Sequence, residues 1–399
     1  MRQSRNRHPA LAIALGLLFA PLLPATELVS STWGFRLDLP EGYEYRDGDE
    51  QERERKRYSF ADSMSEAAFD MVIHADSHYR DAEDCLRDSL LRLGAEGELE
   101  DFDYRGRASA LANFHFLLAG KEHRAWALAL PLDASPQQTK APILLAIAHA
   151  PVDSGQLDSL HFSALDSLAP SPKDRLAPGP INSYAWPGTA LTERPLAGLD
   201  TTARFYSDDA NANRQLVERE ALILARYGES PLQNAAWQRF YRAIYRDAFT
   251  RLEHAAFMLE RLFADAENGA GNSAEAESWQ WRLLSRGLDW VQEFHYERDL
   301  EGSDFVDLVT AATEGRGDCD SRAMLLAIVL EHAGIPAHIM VSQKHAHAMA
   351  LAAVEGPGAR FPFKNEKWLV AETTARVGPG RIAKEQSAQE DWLGIDLSF

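Results

Sequence analysis

A thiol, an imidazole and a carboxylate follow one another toward the C-terminal end of the chain: Cys319, His347 and Glu372. These are the groups of Cys–His–acid catalysis. The imidazole takes the thiol proton, and the carboxylate fixes the imidazole tautomer and steadies the imidazolium. Cys319 stands at the head of an apolar segment with Leu325, Leu326, Ile328, Val329 and Leu330, closed by Gly334 and Pro336. That pattern predicts a helix, with Asp318 as its cap. A thiol at a helix N-terminus is expected to lean toward the thiolate. Strand-like runs follow at Ala337–Val341, His347–Val354 and Lys367–Thr373. His347 opens the second and Glu372 nearly closes the third. His345 lies two positions before His347, so on a strand both face the same side, and His345 stays open as the alternative base. His332 and His338 read as surface or packing residues.

The surroundings of Cys319 are small and charged (Gly315, Arg316, Gly317, Asp318, Asp320, Arg322), which predicts partial exposure. The glycines are expected to let a substrate backbone approach, and Arg316 and Arg322 to anchor the loop through acids. Acyl transfer also needs an oxyanion stabiliser, for which the Cys319 backbone N–H is the natural first donor.

The order G-D-C-D at a helix start, H-A-x-A on a strand and W-x-x-x-E-T-T resembles the transglutaminase-like (papain-like) cysteine enzymes. Upstream, WVQEFHYERDLEGSDF resembles the lead-in V-Q-x-(I/F)-x-Y-x-x-D of the bacterial branch. The resemblance runs from about Leu283 to Thr374. It departs from the family at Met349, where an aromatic residue is usual, and at Glu372, where Asp is commoner; neither change removes a chemical group. It implies a helical front half and a Cys-bearing helix packed on antiparallel strands. It also implies acyl transfer at amide bonds of a protein or peptide substrate through a thioester, with no cofactor. Gln292, in that lead-in, is then expected to supply the second oxyanion donor, with Tyr296 as the alternative. A rival expectation is an inactive protein that keeps the fold and binds or scaffolds a partner in the cell envelope.

His-x-His is also a metal-ligand spacing, but the acid needed five positions after the second His is replaced by Ala352. No metal is expected, and no calcium-loop, phosphate-loop or dinucleotide motif is present. The other cysteine, Cys85, lies on a helical face with Ala82, Leu86, Ser89 and Leu93 and reads as a small core residue; a Cys85–Cys319 disulfide, which export would permit and which would remove the nucleophile, stays open as the alternative.

The chain that must position these groups has 399 residues, enough for more than one core. A net charge of −19 argues against nucleic-acid binding. Arg2, Arg5 and Arg7, the apolar Ala10–Leu23 and Leu23-Pro-Ala25 read as a signal peptide over 1–25, hence a periplasmic or extracellular protein without stable membrane insertion. The fold class expected is α+β. Residues 26–170 read as a small antiparallel-sheet domain with strands at Phe69–His74, Ala110–Ala119, Arg124–Leu130 and Ile143–Ala148. Helices are expected at Asp81–Leu93 and Gln156–Leu168, and a charged hairpin tip at Asp47–Arg57. Its opening W-G-F-x-L-D-L-P-x-G-Y weakly resembles domains of the PsbP type. Residues 171–198 read as an exposed Pro/Gly connector, and 199–399 as the catalytic domain. Helices are expected from Asn211 to Ala266, where Trp237, Phe240, Tyr241, Ile244, Tyr245, Ala248, Leu252, Leu259 and Leu262 recur at helical spacing, and from Ala276 to Phe294.

Overall fold

A computed structural model describes residues 27–48, 56–75, 78–134, 140–264, 278–298 and 303–398. The signal-peptide segment and most of the expected hairpin tip lie outside them. The fold is α+β. In the N-terminal half a seven-stranded antiparallel sheet runs in the spatial order Tyr43–Gly48, Arg57–Asp62, Ala68–His74, Ile143–Pro151, Lys121–Pro131, Ala108–Leu118 and Glu96–Asp103. The edge strand Glu96–Asp103 has no apolar alternation (EGELEDFD) and no counterpart in the sequence reading. It pairs with Ala108–Leu118 and leaves mostly acidic side chains in water. One sheet face packs on Ala82–Leu93, a helix capped by Asp81 and stopped by Gly94 in the left-handed region (φ 60°). The other packs on Asp158–Asp166 and on the helical half.

That half opens with Asp209–Ala225, Gln233–Arg251 and Glu253–Ala264. The aromatic-rich run is two helices rather than one, because the chain turns at Leu252 (φ −93°, ψ 0°) while its side chain stays buried. Trp279–Gln292, Leu308–Glu314 and Cys319–His332 follow. The last of these is apolar almost all round, as a helix enclosed on every side must be. It packs on a five-stranded antiparallel sheet ordered Arg360–Phe363, Glu366–Ala371, His347–Ala352, Ala337–Ser342, Leu393–Ile395. Helices and sheet share one continuous core, with Leu325, Leu326 and Ile328 meeting Ile339, Ala348 and Ala350.

The expected exposed connector carries a strand and buried anchors. Leu191–Pro195 pairs with Thr202–Tyr206 as a hairpin. Buried Asn182 donates its N–H to Asp166 (2.9 Å) and its side-chain amide to the Ala212 carbonyl (2.8 Å). These bonds tie the segment to both halves, so proline and glycine content mark irregular backbone here but not mobility. The halves also meet through buried charges. Arg239 donates to Glu220 (2.7 Å), the Ser163 hydroxyl (2.7 Å) and the Asp38 carbonyl (3.0 Å). Arg242 holds the Asp38 carboxylate at 2.7 Å. Together with Arg246 these cations outweigh the upward push of burial on Asp38 and hold its carboxyl below the ordinary range.

Candidate active site

Asp318 caps the cysteine helix, accepting from the Ser321 N–H at 2.8 Å, so Cys319 is the first helical residue. Its N–H has no acceptor within the helix and is free in principle for an oxyanion. His347 begins the central strand of the sheet, and Glu372 follows the neighbouring strand, whose register pairs Ala350 with Ala371. Extending that register puts position 372 diagonal to 347, within reach of long side chains. His347 Nε2 and Glu372 Oε2 are 2.7 Å apart. The other Glu372 oxygen accepts from the Thr374 N–H and hydroxyl, both at 2.7 Å. Burial would raise the Glu372 carboxyl, but the imidazole and Thr374 outweigh it and hold it below the usual range. With Nε2 given to Glu372, the imidazole presents Nδ1 on its other edge.

The sulfur of Cys319 receives the backbone N–H of Ala348, the residue after His347. The structure thus brings Cys319, His347 and Glu372 to one end of the sheet. Two expectations about the thiol change, and a new contact joins them. Cys319 is buried (2% exposed), not partly open, because its helix is enclosed on all sides. Nor does the thiol lean toward thiolate. Burial first, then the carboxylates of Asp320 and Asp318, push the thiol well above its ordinary value. And the thiol has a carboxylate acceptor of its own, donating to Asp320 Oδ2 at 3.4 Å.

Gln292 is placed otherwise than expected. Its side-chain nitrogen donates to the Glu372 carbonyl at 2.7 Å and the Val377 carbonyl at 2.9 Å. Both amide hydrogens are engaged, so it clamps the chain carrying Glu372 and has none for an oxyanion. Tyr296 lies beside Gly317 in a short parallel pairing, about half exposed, with its phenol bonded to Arg298. Burial and the nearby Cys319 raise that phenol above its ordinary value.

His345 is not on the strand with His347. The chain turns at Ala346 (φ 45°), and His345 meets a different acid, Asp391, at 3.3 Å. Both rings flank Trp392, at 5.7 Å for His345 and 6.2 Å for His347. Among the described residues, no group of three or more His, Cys, Asp or Glu is arranged to hold a metal ion. His332 stacks on Phe249 and bonds its carbonyl, and His338 packs on Trp368. Arg316 pairs with Glu314 and Glu297 as expected, at 2.7 and 2.9 Å. Arg322 instead donates to carbonyls, of Phe294 (2.7 Å) and Gly317 (3.1 Å), and covers the Tyr296 ring. The glycines serve packing: Gly315 ends a helix at φ 68°, and a Cβ on Gly317 would sit 2.5 Å from the Ser321 hydroxyl.

A cleft of about 580 Å³ opens at His347 and Asp320, walled by Trp237, Phe240, Tyr241 and Trp392. Tyr241, one of the residues in the aromatic helical stripe, donates its hydroxyl to Asp320 Oδ1. The periodicity that marks a core stripe is silent about where a phenol tip reaches. Asp320 itself was visible only as part of the charged context of the thiol. Beside it, burial and the Asp320 charge raise the Asp318 carboxyl to about 8. Cys85 and Cys319 are both free. No helix among the described residues is long and apolar enough to cross a membrane.

No protein-family model matches the chain, and no curated protein sequence matches it. Among solved structures, one match is a protein of unknown function from Pseudomonas aeruginosa. It is 13% identical, the match covers 27% of this chain and 73% of that one, and the TM-score is 0.20, a likeness that carries no argument.

Proposed function

We propose that the chain is an exported cysteine enzyme with a transglutaminase-like C-terminal half, acting on amide bonds of a protein or peptide. The observation that carries this reading is the 2.7 Å His347–Glu372 contact at the strand end whose next N–H, that of Ala348, meets the Cys319 sulfur. In the reaction, Cys319 attacks the carbonyl and its proton passes to His347 Nδ1. Glu372 stabilises the imidazolium, and the Cys319 N–H and the Tyr296 hydroxyl hold the oxyanion. His347 then gives its proton to the departing amine, leaving a thioester. Water resolving the thioester makes the enzyme a peptidase or amidase; an amine makes it a transglutaminase.

A second reading has its own support. The carboxylates that push the thiol up are what an inactive scaffold could tolerate and an enzyme must overcome. The deciding experiment is alkylation of the native protein followed by peptide mass spectrometry, with buried Cys85 as reference. The enzyme reading expects Cys319 to label faster than Cys85 and His347→Ala to slow it at least tenfold, as loss of a general base does at roughly 10²–10⁴-fold in catalysis. Equal rates in the wild type and His347→Ala would leave the scaffold.

A further inference from the structure

The thiol proton has an acceptor that lies outside the triad. Cys319 Sγ donates to Asp320 Oδ2 at 3.4 Å, while the other Asp320 oxygen accepts the Tyr241 hydroxyl. Asp318 bonds to the same carboxylate. An S–H directed at Asp320 is not directed at an imidazole. We propose that Asp320 is a positioning residue that keeps Cys319 in its thiol form, and that Tyr241 sets how strongly it does so. This rests on the reading of Cys319 as a nucleophile and concerns how that nucleophile is held in check.

The charged and titratable groups around the thiol support this assignment. From its own helix come Asp318, Asp320 and Arg322. The Tyr296 strand brings Tyr296 and Arg298, the Gln233–Arg251 helix brings Tyr241, and the sheet brings His347 and Glu372. The Arg322 guanidinium is committed to the Phe294 and Gly317 carbonyls, and Arg298 to Tyr296. The nearest carboxylates therefore dominate, and the thiol is raised after burial chiefly by Asp320. During attack the sulfur–carbon bond forms, the carbonyl π pair moves to oxygen and the proton leaves sulfur for His347 Nδ1. Asp320 stays out of the transfer and loses only the hydrogen bond. The Tyr241 hydroxyl competes with the thiol for the same carboxylate, so it weakens the hold on the thiol.

The two residues therefore have opposite signs, which structural damage does not produce. The test is the pH profile of Cys319 alkylation by iodoacetamide in the full chain, with Cys85 labelling in native buffer reporting loss of fold. Asp320→Asn is expected to lower the labelling midpoint by about one pH unit or more, which is about tenfold faster labelling at pH 7. Tyr241→Phe is expected to raise the midpoint and slow labelling. An unchanged or raised midpoint in Asp320→Asn, with His347→Ala still slow, overturns the role of Asp320 while leaving the nucleophile in place. Rates indifferent to Asp320→Asn and His347→Ala alike overturn the nucleophile reading itself. Should Asp320→Asn expose Cys85, Tyr241→Phe decides alone: a midpoint that falls or stays where it was overturns the proposal.

Discussion

Each half of the molecule holds a buried thiol and an imidazole bonded to a carboxylate, and only one half puts them together. In the N-terminal sheet His149 Nε2 meets Asp70 Oδ2 at 3.0 Å, and in the C-terminal sheet His347 Nε2 meets Glu372 Oε2 at 2.7 Å. The other nitrogen of His149 is taken by a second imidazole, His123 Nδ1, at 3.0 Å. Cys85 packs against the same face of that sheet, under its helix, among Ala82, Leu86, Ala112 and Phe114, and it is Phe116 of this cluster that meets the His123 and His149 rings. Burial drives its thiol up to about 12, against a lowering hydrogen bond with Ser89 and with smaller upward pushes from Asp88 and Asp84. Cys319 is as buried, but its neighbours are an N–H, two carboxylates and the strand that begins at His347. A His–carboxylate pair is thus a common way to satisfy a buried imidazole. What lies beyond the second ring nitrogen separates a structural pair from a candidate base.

Breaking the two pairs in parallel tests that distinction most strongly. His347→Ala is expected to slow any thiol-dependent acyl transfer by roughly 10²–10⁴-fold, while His149→Ala leaves it unchanged at equal folded fraction. Single-turnover kinetics on the folded fraction measure both. A loss of similar size from His149→Ala would make the halves one catalytic unit. The boundary between them is next. Arg239→Ala removes one of the two buried arginines that pair with Glu220, together with the Arg239 bonds to Ser163 and the Asp38 carbonyl, and leaves Arg219 at 3.0 Å. Breaking a buried pair in this way is expected to cost about 3–5 kcal/mol, read by urea unfolding. If the N-terminal half loses its structure first, with a separate transition, the halves are independent units joined at that contact.

How much of this was legible in the sequence depended on the kind of signal. Apolar periodicity carried the elements: the helices at Ala82–Leu93 and Cys319–His332 and the strands at Ala68–His74, Ala337–Ser342 and His347–Ala352 lie within a residue or two of the expected ranges. Elements whose stability comes from backbone pairing and not from a buried face stayed hidden, as with acidic Glu96–Asp103 and the short Leu393–Ile395. The meeting of His347 with Glu372 followed from spacing on neighbouring strands. The acceptors of the Gln292 amide did not, because hydrogen bonds across 80 and 85 residues leave no local pattern. Nor did Asp391 as partner of His345, since the positive φ at Ala346 breaks the strand on which a shared face was expected. Small and charged neighbours predicted an open thiol; the enclosing helix and sheet overrode that local composition.

Within the site, Asp318 and Glu372 are shifted in opposite directions, so they give opposite pH dependences. Asp318 is raised to about 8 in the folded chain, by burial and then Asp320. The folded state therefore binds this proton more tightly than the unfolded chain, and its contribution to stability declines as pH rises from the ordinary carboxyl range toward 8. Asp318→Asn keeps a capping oxygen for the Ser321 N–H and carries no titratable proton. It is expected to flatten the wild-type decline by up to about 1.4 kcal/mol per pH unit, read from urea midpoints at successive pH values. A decline of unchanged slope in the variant would assign that proton to another group.

Glu372 gives the smaller effect and the last contrast. Its folded carboxyl is depressed, with the imidazole and Thr374 overcoming burial. Its contribution is complete above the unfolded carboxyl value and disappears as pH falls through the lower folded one. Asp70 is depressed in the same direction, with His149 and Ser59 overcoming burial. Glu372→Gln and Asp70→Asn should each make the acid limb of the stability curve shallower, because both carboxylates owe their shift to a paired imidazole. Thiol reactivity should divide them: Glu372→Gln slows Cys319 labelling, and Asp70→Asn leaves it alone. If Asp70→Asn slows the thiol as much, the second ring nitrogen is not what distinguishes the pairs, and the N-terminal sheet must reach the site through the buried Arg239 contacts.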